Sequence, residues 1–200
     1  MPSLHSGQLL DLKTRGALSA GQNTKEAHHA YALECILTRR SIRKFTAEPV
    51  EQGKIDLALQ AAMSAPSAGN SQPWHFVLIT DRALLDAVPG FHPYAAMARQ
   101  AQAGVLVCAE PALEKYPGYW PIDCAAATQN LLLALHAQGL GAVWVGVWPE
   151  KDRVENFRKL LGIPEGVVPH SFVPVGRPDM PSYEAARFKP ERIHTDGWKP

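Results

Sequence analysis

The chain has 200 residues, 46% of them hydrophobic, and a formal net charge of +1. This length and composition are enough for one hydrophobic core and favour a single domain. The balanced charge argues against nucleic acid or an anionic membrane as a partner, and no apolar run approaches the ~20 residues that a membrane span requires.

The first quarter of the chain predicts a polar extension followed by two helices. Residues 1–22 are rich in Ser, Gly and small polar residues, so we expect a flexible N-terminal extension before a single domain over residues 23–200. A helical pattern covers residues 31–37, and a second helix is predicted over residues 50–64. Apolar residues at helical spacing mark the buried face of this second helix: Ile55, Leu59, Ala62 and Met63.

The middle of the chain alternates predicted strands and helices. Aromatic and β-branched residues predict a strand over residues 74–80, and Asp81 is a suitable cap for a short helix after it. A buried strand is predicted over residues 105–109. Pro121 fits the first turn of a long helix that ends before Gly139.

The last third predicts a strand over residues 142–148, an amphipathic helix over 149–161 and a final strand over 167–175. Pro169 and Pro174 favour an edge position for that final strand, because proline cannot donate a hydrogen bond to a neighbouring strand. Since helices and strands mix without strict alternation, the fold class is α+β.

The cysteines predict no bridge and no metal centre. Cys35, Cys108 and Cys124 lack CxxC spacing and lie in apolar or helical stretches. Buried, reduced thiols in a cytoplasmic protein are the simplest interpretation. No pair of Cys or His residues with ligand spacing stands beside a second such pair, so we expect no zinc site.

A basic cluster follows the first predicted helix. Arg39, Arg40, Ser41 and Arg43 provide three guanidinium groups and a hydroxyl within about one helical turn. Guanidinium groups bind phosphate oxygens in pairs, which makes the cluster a candidate phosphate site. The alternative is a helix end whose cations complement the helix dipole, and the segment alone leaves both possibilities open.

Two further segments are candidates for ligand contact. Residues 65–73 form a loop of small residues in which Asn70 and Gln72 offer donors and acceptors that suit the edge of a uracil-like ring. Gly141 and Gly146 punctuate the strand predicted near residues 142–148, and glycine in a strand often marks the close approach of a ligand. The alternatives are a plain turn for the loop, and a tight turn with one packing glycine for the strand.

Together these segments suit a phosphorylated planar heterocycle, and in this combination the chain resembles the nitroreductase family of FMN proteins. The resemblance covers about residues 30–198 and rests on segments that occur in the family's order: residues 39–45, 65–74, 139–144 and 174–178, then Arg187 and His194. It implies a three-layer fold with a central mixed sheet flanked by helices. It also implies a homodimer embraced by an extended C-terminal arm over residues 176–200.

The resemblance also implies a role for each matching residue. The FMN phosphate and ribityl end would meet Arg39, Arg40 and Ser41, and the flavin N1/O2 edge would meet Arg43. The other subunit would contribute a loop with Pro66, Ser67, Asn70 and Gln72. The backbone of Val145 and Gly146 would approach flavin N5. Either Arg177 or Arg187 would be a second basic residue near the phosphate, and the sequence does not decide between them.

In this family FMN carries the chemistry, so the resemblance implies NAD(P)H as electron donor and a small electron-poor acceptor, such as a nitroaromatic or a quinone. The two substrates would react in turn, by a ping-pong mechanism. No side chain is expected to act as a catalytic nucleophile. The alternative is a protein that binds flavin or a phosphorylated ligand without nicotinamide-driven turnover.

Overall fold

The computed structural model describes residues 24–181, 183 and 185–198. The predicted extension of residues 1–22 lies outside this range. Residues from Cys35 onward form one compact unit, and residues 24–34 belong to another. No helix in the described ranges is long and apolar enough to cross a membrane.

Helices and strands of the described residues follow each other much as the sequence predicts. In chain order they are α1 (Thr24–Thr38), α2 (Gln52–Met63), β1 (Trp74–Ile79), α3 (Arg82–Ala87), β2 (Ala103–Ala109), α4 (Trp120–Ala137), β3 (Gly141–Ala142), β4 (Val145–Gly146), α5 (Lys151–Leu161) and β5 (Val168–Gly176). The Asp81 side chain caps α3 by accepting from the N–H groups of Ala83 and Leu84. Gly162, at φ 64°, ends α5 in the left-handed conformation.

The strands form one sheet in the order β1-β2-β5-β3, with β4 also paired to β5. All pairings among the described strands are antiparallel, so the expected mixed sheet is wrong for this part of the chain. The physical reason is that β5 runs opposite to β2 on one side and opposite to both β3 and β4 on the other. The two short strands are therefore successive pieces of one sheet edge.

The edge position predicted for β5 is also wrong, because β5 pairs on both sides. Its two prolines are tolerated where pairing is already interrupted. Pro169 lies beside the register shift between Val107 and Cys108 of β2, and Pro174 lies opposite the gap between β3 and β4. Pro174 has no N–H to donate across that gap, which explains why the strand predicted over residues 142–148 is split.

The sheet separates two apolar cores. Val105, Val107 and Val173 pack with α2 and α4 on one face, while Leu106 and Phe172 pack with α3 and α5 on the other. This arrangement places helices on both faces of the sheet, as the three-layer expectation requires.

The buried face of α2 was predicted with one error. Ile55 and Ala62 are buried and Leu59 is partly buried, but Met63 is 52% exposed and Ala58 is buried in its place. At about 100° per residue, Ile55, Ala58 and Ala62 lie within about 60° of one another around the helix axis, and Met63 lies outside that arc.

None of the three thiols forms a disulfide bond. Cys108 and Cys124 are buried, and their burial raises the pKa of each thiol to about 12, so both are neutral at physiological pH. Among the residues that the structure describes, no group of three or more His, Cys, Asp or Glu side chains is arranged to hold a metal ion.

Candidate cofactor-binding site

The basic segment that follows α1 lies in extended form along the β3 edge of the sheet. The N–H of Ile42 donates to the Ala142 carbonyl at 3.0 Å, and the N–H of Thr46 donates to the Arg177 carbonyl at 3.0 Å. Phe45 forms an antiparallel bridge with Pro178. These backbone hydrogen bonds therefore hold the basic segment against the edge of the sheet.

Two glycines make room for this segment. Gly141 and Gly176 face each other in the β3–β5 register. A Cβ on Gly141 would lie 2.7 Å from Ile42 Cγ2, and a Cβ on Gly176 would lie 2.8 Å from Phe45 Cβ. Ile42 and Phe45 are both buried. Gly141 is therefore a packing glycine approached by the protein's own side chain, which was the alternative to ligand contact.

Arg40 closes the end of α1. Its Nη1 donates to the carbonyls of Leu37 and Arg39, both at 2.8 Å, and its Nε donates to the carbonyl of Tyr183 at 2.8 Å. The guanidinium carbon also lies 5.8 Å from the centre of the Tyr183 ring. Arg40 thus satisfies helix-end carbonyls and ties part of the C-terminal segment, residues 177–198, to α1.

Arg39 and Arg187 lie close enough for their charges to interact. Burial, followed by the positive charges of Arg187 and Arg40, lowers the pKa of the half-buried Arg39 guanidinium. Like charges in a partly desolvated place repel each other, and a bound anion would relieve that repulsion. Arg39, Arg40 and Arg187 are therefore candidates for holding an anion such as a phosphate.

Arg177, the other late basic residue, is engaged differently. Its Nη2 donates to Glu51 Oε1 at 2.7 Å, and its Nε lies 3.2 Å from Glu48 Oε2. Its charge is therefore balanced by two carboxylates. Of the two arginines that the sequence left undecided, Arg187 is the one whose charge acts on Arg39.

A cavity of about 500 Å³ lies next to the basic segment. It brings together Arg43, Val145 and Gly146, which the sequence assigned to one site. The other residues that line it are Pro93, Tyr94, Ala96, Met97, Val143 and Trp144. Its volume is within the range of small-molecule and cofactor sites, and its lining is mostly apolar with one cationic side chain.

The loop of residues 65–73 is a tight polar structure built around a 3₁₀ turn, Ala68–Asn70. Asn70 and Gln72 both have positive φ, 55° and 48°, and Gln72 Nε2 donates to Asn70 Oδ1 at 2.9 Å. The buried Asp123 carboxylate accepts from the N–H of Ala68 at 3.0 Å. Left-handed backbone at non-glycine residues is uncommon, so the fold holds this loop in a defined shape.

This loop is not brought to the cavity within one chain. It precedes β1, at one edge of the sheet, whereas the cavity lies beside β4 at the other edge. The two edges are separated by three strand spacings, about 14 Å. Pro66, Ser67, Asn70 and Gln72 therefore form a group separate from Arg43, Val145 and Gly146.

Aromatic side chains pack beside the cavity. Trp144 and Trp120 lie on either side of the buried His170, with ring centres 5.7 and 6.1 Å away, and Trp120 contacts Trp148 at 5.2 Å. Burial lowers the pKa of His170 to about 4. The tryptophans thus pack against one another and against His170.

Sequence reasoning missed His92 as a neighbour of the site. The sequence analysis gives it no role, yet it is 1% exposed and its Nε2 lies 2.8 Å from the Gly146 carbonyl oxygen. Arg153 of α5 contacts the same oxygen from Nη1 at 3.1 Å. No motif in the chain indicates this contact, because its partners are 54 and 7 residues away from Gly146 along the sequence.

Comparison with known proteins gives a consistent result. The model of the "Nitroreductase family" matches residues 36–177. A "Putative NADH dehydrogenase/NAD(P)H nitroreductase" of Methanothermobacter thermautotrophicus is 48% identical over 166 residues, 83% of this chain and 87% of that protein. The crystal structure of a protein with the same description from Bacteroides thetaiotaomicron superposes with a TM-score of 0.80 at 41% identity, covering 84% of this chain and 98% of its own.

A further solved structure to which the chain is similar is a complex with a ligand. It is a "putative nitroreductase in complex with fmn" from Desulfovibrio desulfuricans, with a TM-score of 0.72 and 28% identity. The similarity covers 84% of this chain and 98% of that one.

The glycine contacts predict a specific stability defect. We expect Gly141→Ala to lower the free energy of unfolding by about 1–3 kcal/mol, because the new methyl group collides with Ile42. Adding Ile42→Ala to Gly141→Ala should recover part of the loss. Gly53→Ala in α2 is the matched control, since nothing lies within 4 Å of its added methyl group and alanine favours helix. Urea unfolding of wild type, Gly141→Ala, the double variant and Gly53→Ala measures these free energies. Equal losses of stability in Gly141→Ala and Gly53→Ala would contradict the packing role of Gly141.

Proposed function

The chain belongs to the nitroreductase family, and we propose that it is an FMN-dependent oxidoreductase that transfers electrons from NAD(P)H to a small electron-poor acceptor, such as a nitroaromatic or a quinone. The observation that carries this proposal is the cavity that Arg43 lines together with Val145 and Gly146. Arg39, on which the charges of Arg187 and Arg40 act, precedes Arg43 by four residues along the chain. This arrangement offers a place for a planar ring system and, a few residues away, a place for a phosphate.

The residues present fit FMN. Arg39 and Arg187, with Ser41, would hold the phosphate, and the repulsion between the two guanidinium groups would be relieved by its negative charge. Arg40 would contribute less than the sequence suggested, because three of its donor contacts are made to backbone carbonyls. Arg43 would place a positive charge beside the flavin N1/O2 edge, and the Gly146 backbone would face N5.

When bound, FMN would supply the redox chemistry, taking a hydride from the reduced nicotinamide and passing the electrons to the acceptor in a ping-pong order. The protein's own contribution would be to bind and orient FMN and to stabilise its charge electrostatically. The apolar lining of the cavity excludes water from one side, and Arg43 supplies the positive charge.

We further propose that a second copy of the chain completes each site. The loop with Pro66, Ser67, Asn70 and Gln72 lies at the opposite sheet edge from its own cavity, so it would serve the cavity of the partner. Large apolar side chains of the C-terminal segment support this assembly. Phe188 is 80% exposed and Trp198 is 85% exposed, and burial against a second chain would remove that apolar surface from water.

The central test is anaerobic reduction. We expect purified protein to retain FMN and to lose the absorbance of oxidised flavin when NADH or NADPH is added, because the proposed reaction begins with hydride transfer from the reduced nicotinamide. Oxidised flavin should return when a nitroaromatic or a quinone is then supplied. Protein that ignores added FMN would refute the cofactor assignment. Flavin-loaded protein that neither nucleotide reduces would instead support the alternative of binding without turnover.

The proposed phosphate site predicts different effects on FMN binding for substitutions of Arg187 and Arg177. Arg187→Gln should weaken FMN binding by about tenfold or more, because it removes a charged hydrogen-bond donor to the phosphate. Arg177→Gln is the matched control and should leave the dissociation constant within about twofold, since Arg177 is paired with Glu48 and Glu51. Fluorescence titration of each flavin-free variant with FMN measures its dissociation constant. The reverse ranking would assign the phosphate to Arg177.

The dimer proposal predicts the effect of removing the C-terminal segment. Truncation after Met180 keeps the Phe45–Pro178 bridge and the hydrogen bond from Asp179 N–H to the Lys44 carbonyl, and removes the exposed aromatic residues. Sedimentation should show a dimer for the full chain and a shift toward monomer for the truncated chain. A dimer of unchanged stability after truncation would show that this segment does not hold the two copies together.

A further inference from the structure

Gly146 lies in β4 and lines the cavity. Glycine gives its peptide groups more conformational freedom than any other residue type does. A Cβ at this position would meet nothing within 4 Å, so crowding does not account for the glycine. Pairing of β4 with β5 sets the direction of the strand, and the contacts of the Gly146 carbonyl oxygen add a second restraint on this peptide.

Two side chains from different parts of the chain approach that oxygen. His92 Nε2 lies 2.8 Å from it, and Arg153 donates from Nη1 at 3.1 Å. His92 Nδ1 in turn accepts from the N–H of Tyr94 at 3.3 Å. Because Nδ1 is an acceptor, the hydrogen of the neutral ring sits on Nε2, and His92 donates to the Gly146 carbonyl.

The environment keeps His92 in that state. The ring is 1% exposed, and burial is the largest cause that lowers its pKa, with the positive charge of Arg153 acting in the same direction. The Arg153 guanidinium also lies over the Tyr94 ring at 5.5 Å. His92, Tyr94 and Arg153 therefore form one connected group on the carbonyl side of Gly146.

Strand geometry relates this carbonyl to the neighbouring N–H. The N–H of Val147 donates to the His170 carbonyl of β5 at 3.2 Å, so the backbone groups of Val147 face β5. In an antiparallel strand the groups of the preceding residue face the opposite way, and its N–H and C=O point to the same side. Pro93 and Tyr94, which follow His92, line the same cavity as Gly146. The N–H of Gly146 therefore lies on the side where the cavity opens.

We propose that His92, assisted by Arg153, is a positioning residue that holds the Gly146 carbonyl and thereby presents the Gly146 N–H to the group bound in the cavity. This inference rests on the proposed function, in which that group is FMN and its N5 atom is the acceptor nearest the strand. His92 touches neither cofactor nor substrate and acts through the peptide that it orients.

The test compares His92→Leu with His92→Gln. Leucine removes the donor, whereas glutamine keeps an N–H donor that reaches the position of Nε2. We expect His92→Leu to raise the dissociation constant for oxidised FMN about fivefold, since one hydrogen bond to the ring is lost or weakened. We expect kcat with NADH to fall about tenfold with little change in KM, because misplacement of reacting groups slows the reaction more than it weakens nucleotide binding. His92→Gln should restore both values to within about twofold of wild type.

Several outcomes would overturn the proposal. One is a His92→Leu protein with a lower melting temperature but wild-type FMN affinity and kcat, since that pattern belongs to a purely structural histidine. Another is a glutamine variant as impaired as the leucine variant. If His92→Leu does not fold, Arg153→Met removes the second donor from a half-exposed position, and unchanged FMN affinity in that variant counts against the proposal. Failure of wild-type protein to bind FMN would instead refute the proposed function itself.

Discussion

The contact between Ile42 and the bare backbone of Gly141 is the constraint on which the candidate site depends. Together with the equivalent contact of Phe45 on Gly176, it seats the basic segment against the end of the sheet. Both glycines lie at one level of the β3–β5 register, so a single cross-strand pair accommodates both apolar side chains. The positions of Arg39, on one side of Ile42, and Arg43, on the other, follow from this seating.

The second structural condition is the break in the sheet edge opposite Pro174. A continuous strand over residues 142–148 would pair along its whole length with β5. Because Pro174 has no N–H, pairing stops at Ala142 and resumes at Val145. Trp144 in the gap lines the cavity, and β4 is left as a short edge strand whose outer backbone groups are available to side chains such as His92. The missing N–H of Pro174 thus contributes to the shape of the cavity.

Much of the fold was predictable because its signals are local. The cap at Asp81, the left-handed Gly162 and the alternation of buried residues depend on neighbours a few positions away. The cationic character of residues 39–43 is visible in the sequence for the same reason. The contact of Ile42 with Gly141, the central position of β5 and the bond from His92 to Gly146 join residues that are distant in sequence. No periodicity or motif records such contacts, which is why they required the structure.

The surroundings of individual arginines also required the structure, because they depend on residues that are distant in sequence. The chain is almost neutral overall, and its arginines look equivalent in the sequence. In the fold, Arg177 lies against Glu48 and Glu51. Burial, followed by the positive charges of Arg187 and Arg40, lowers the pKa of Arg39. Bringing cations together costs free energy unless an anion accompanies them. The local surroundings, and not the net charge, therefore distinguish Arg177, which has carboxylate partners, from Arg39, which lies among other cations.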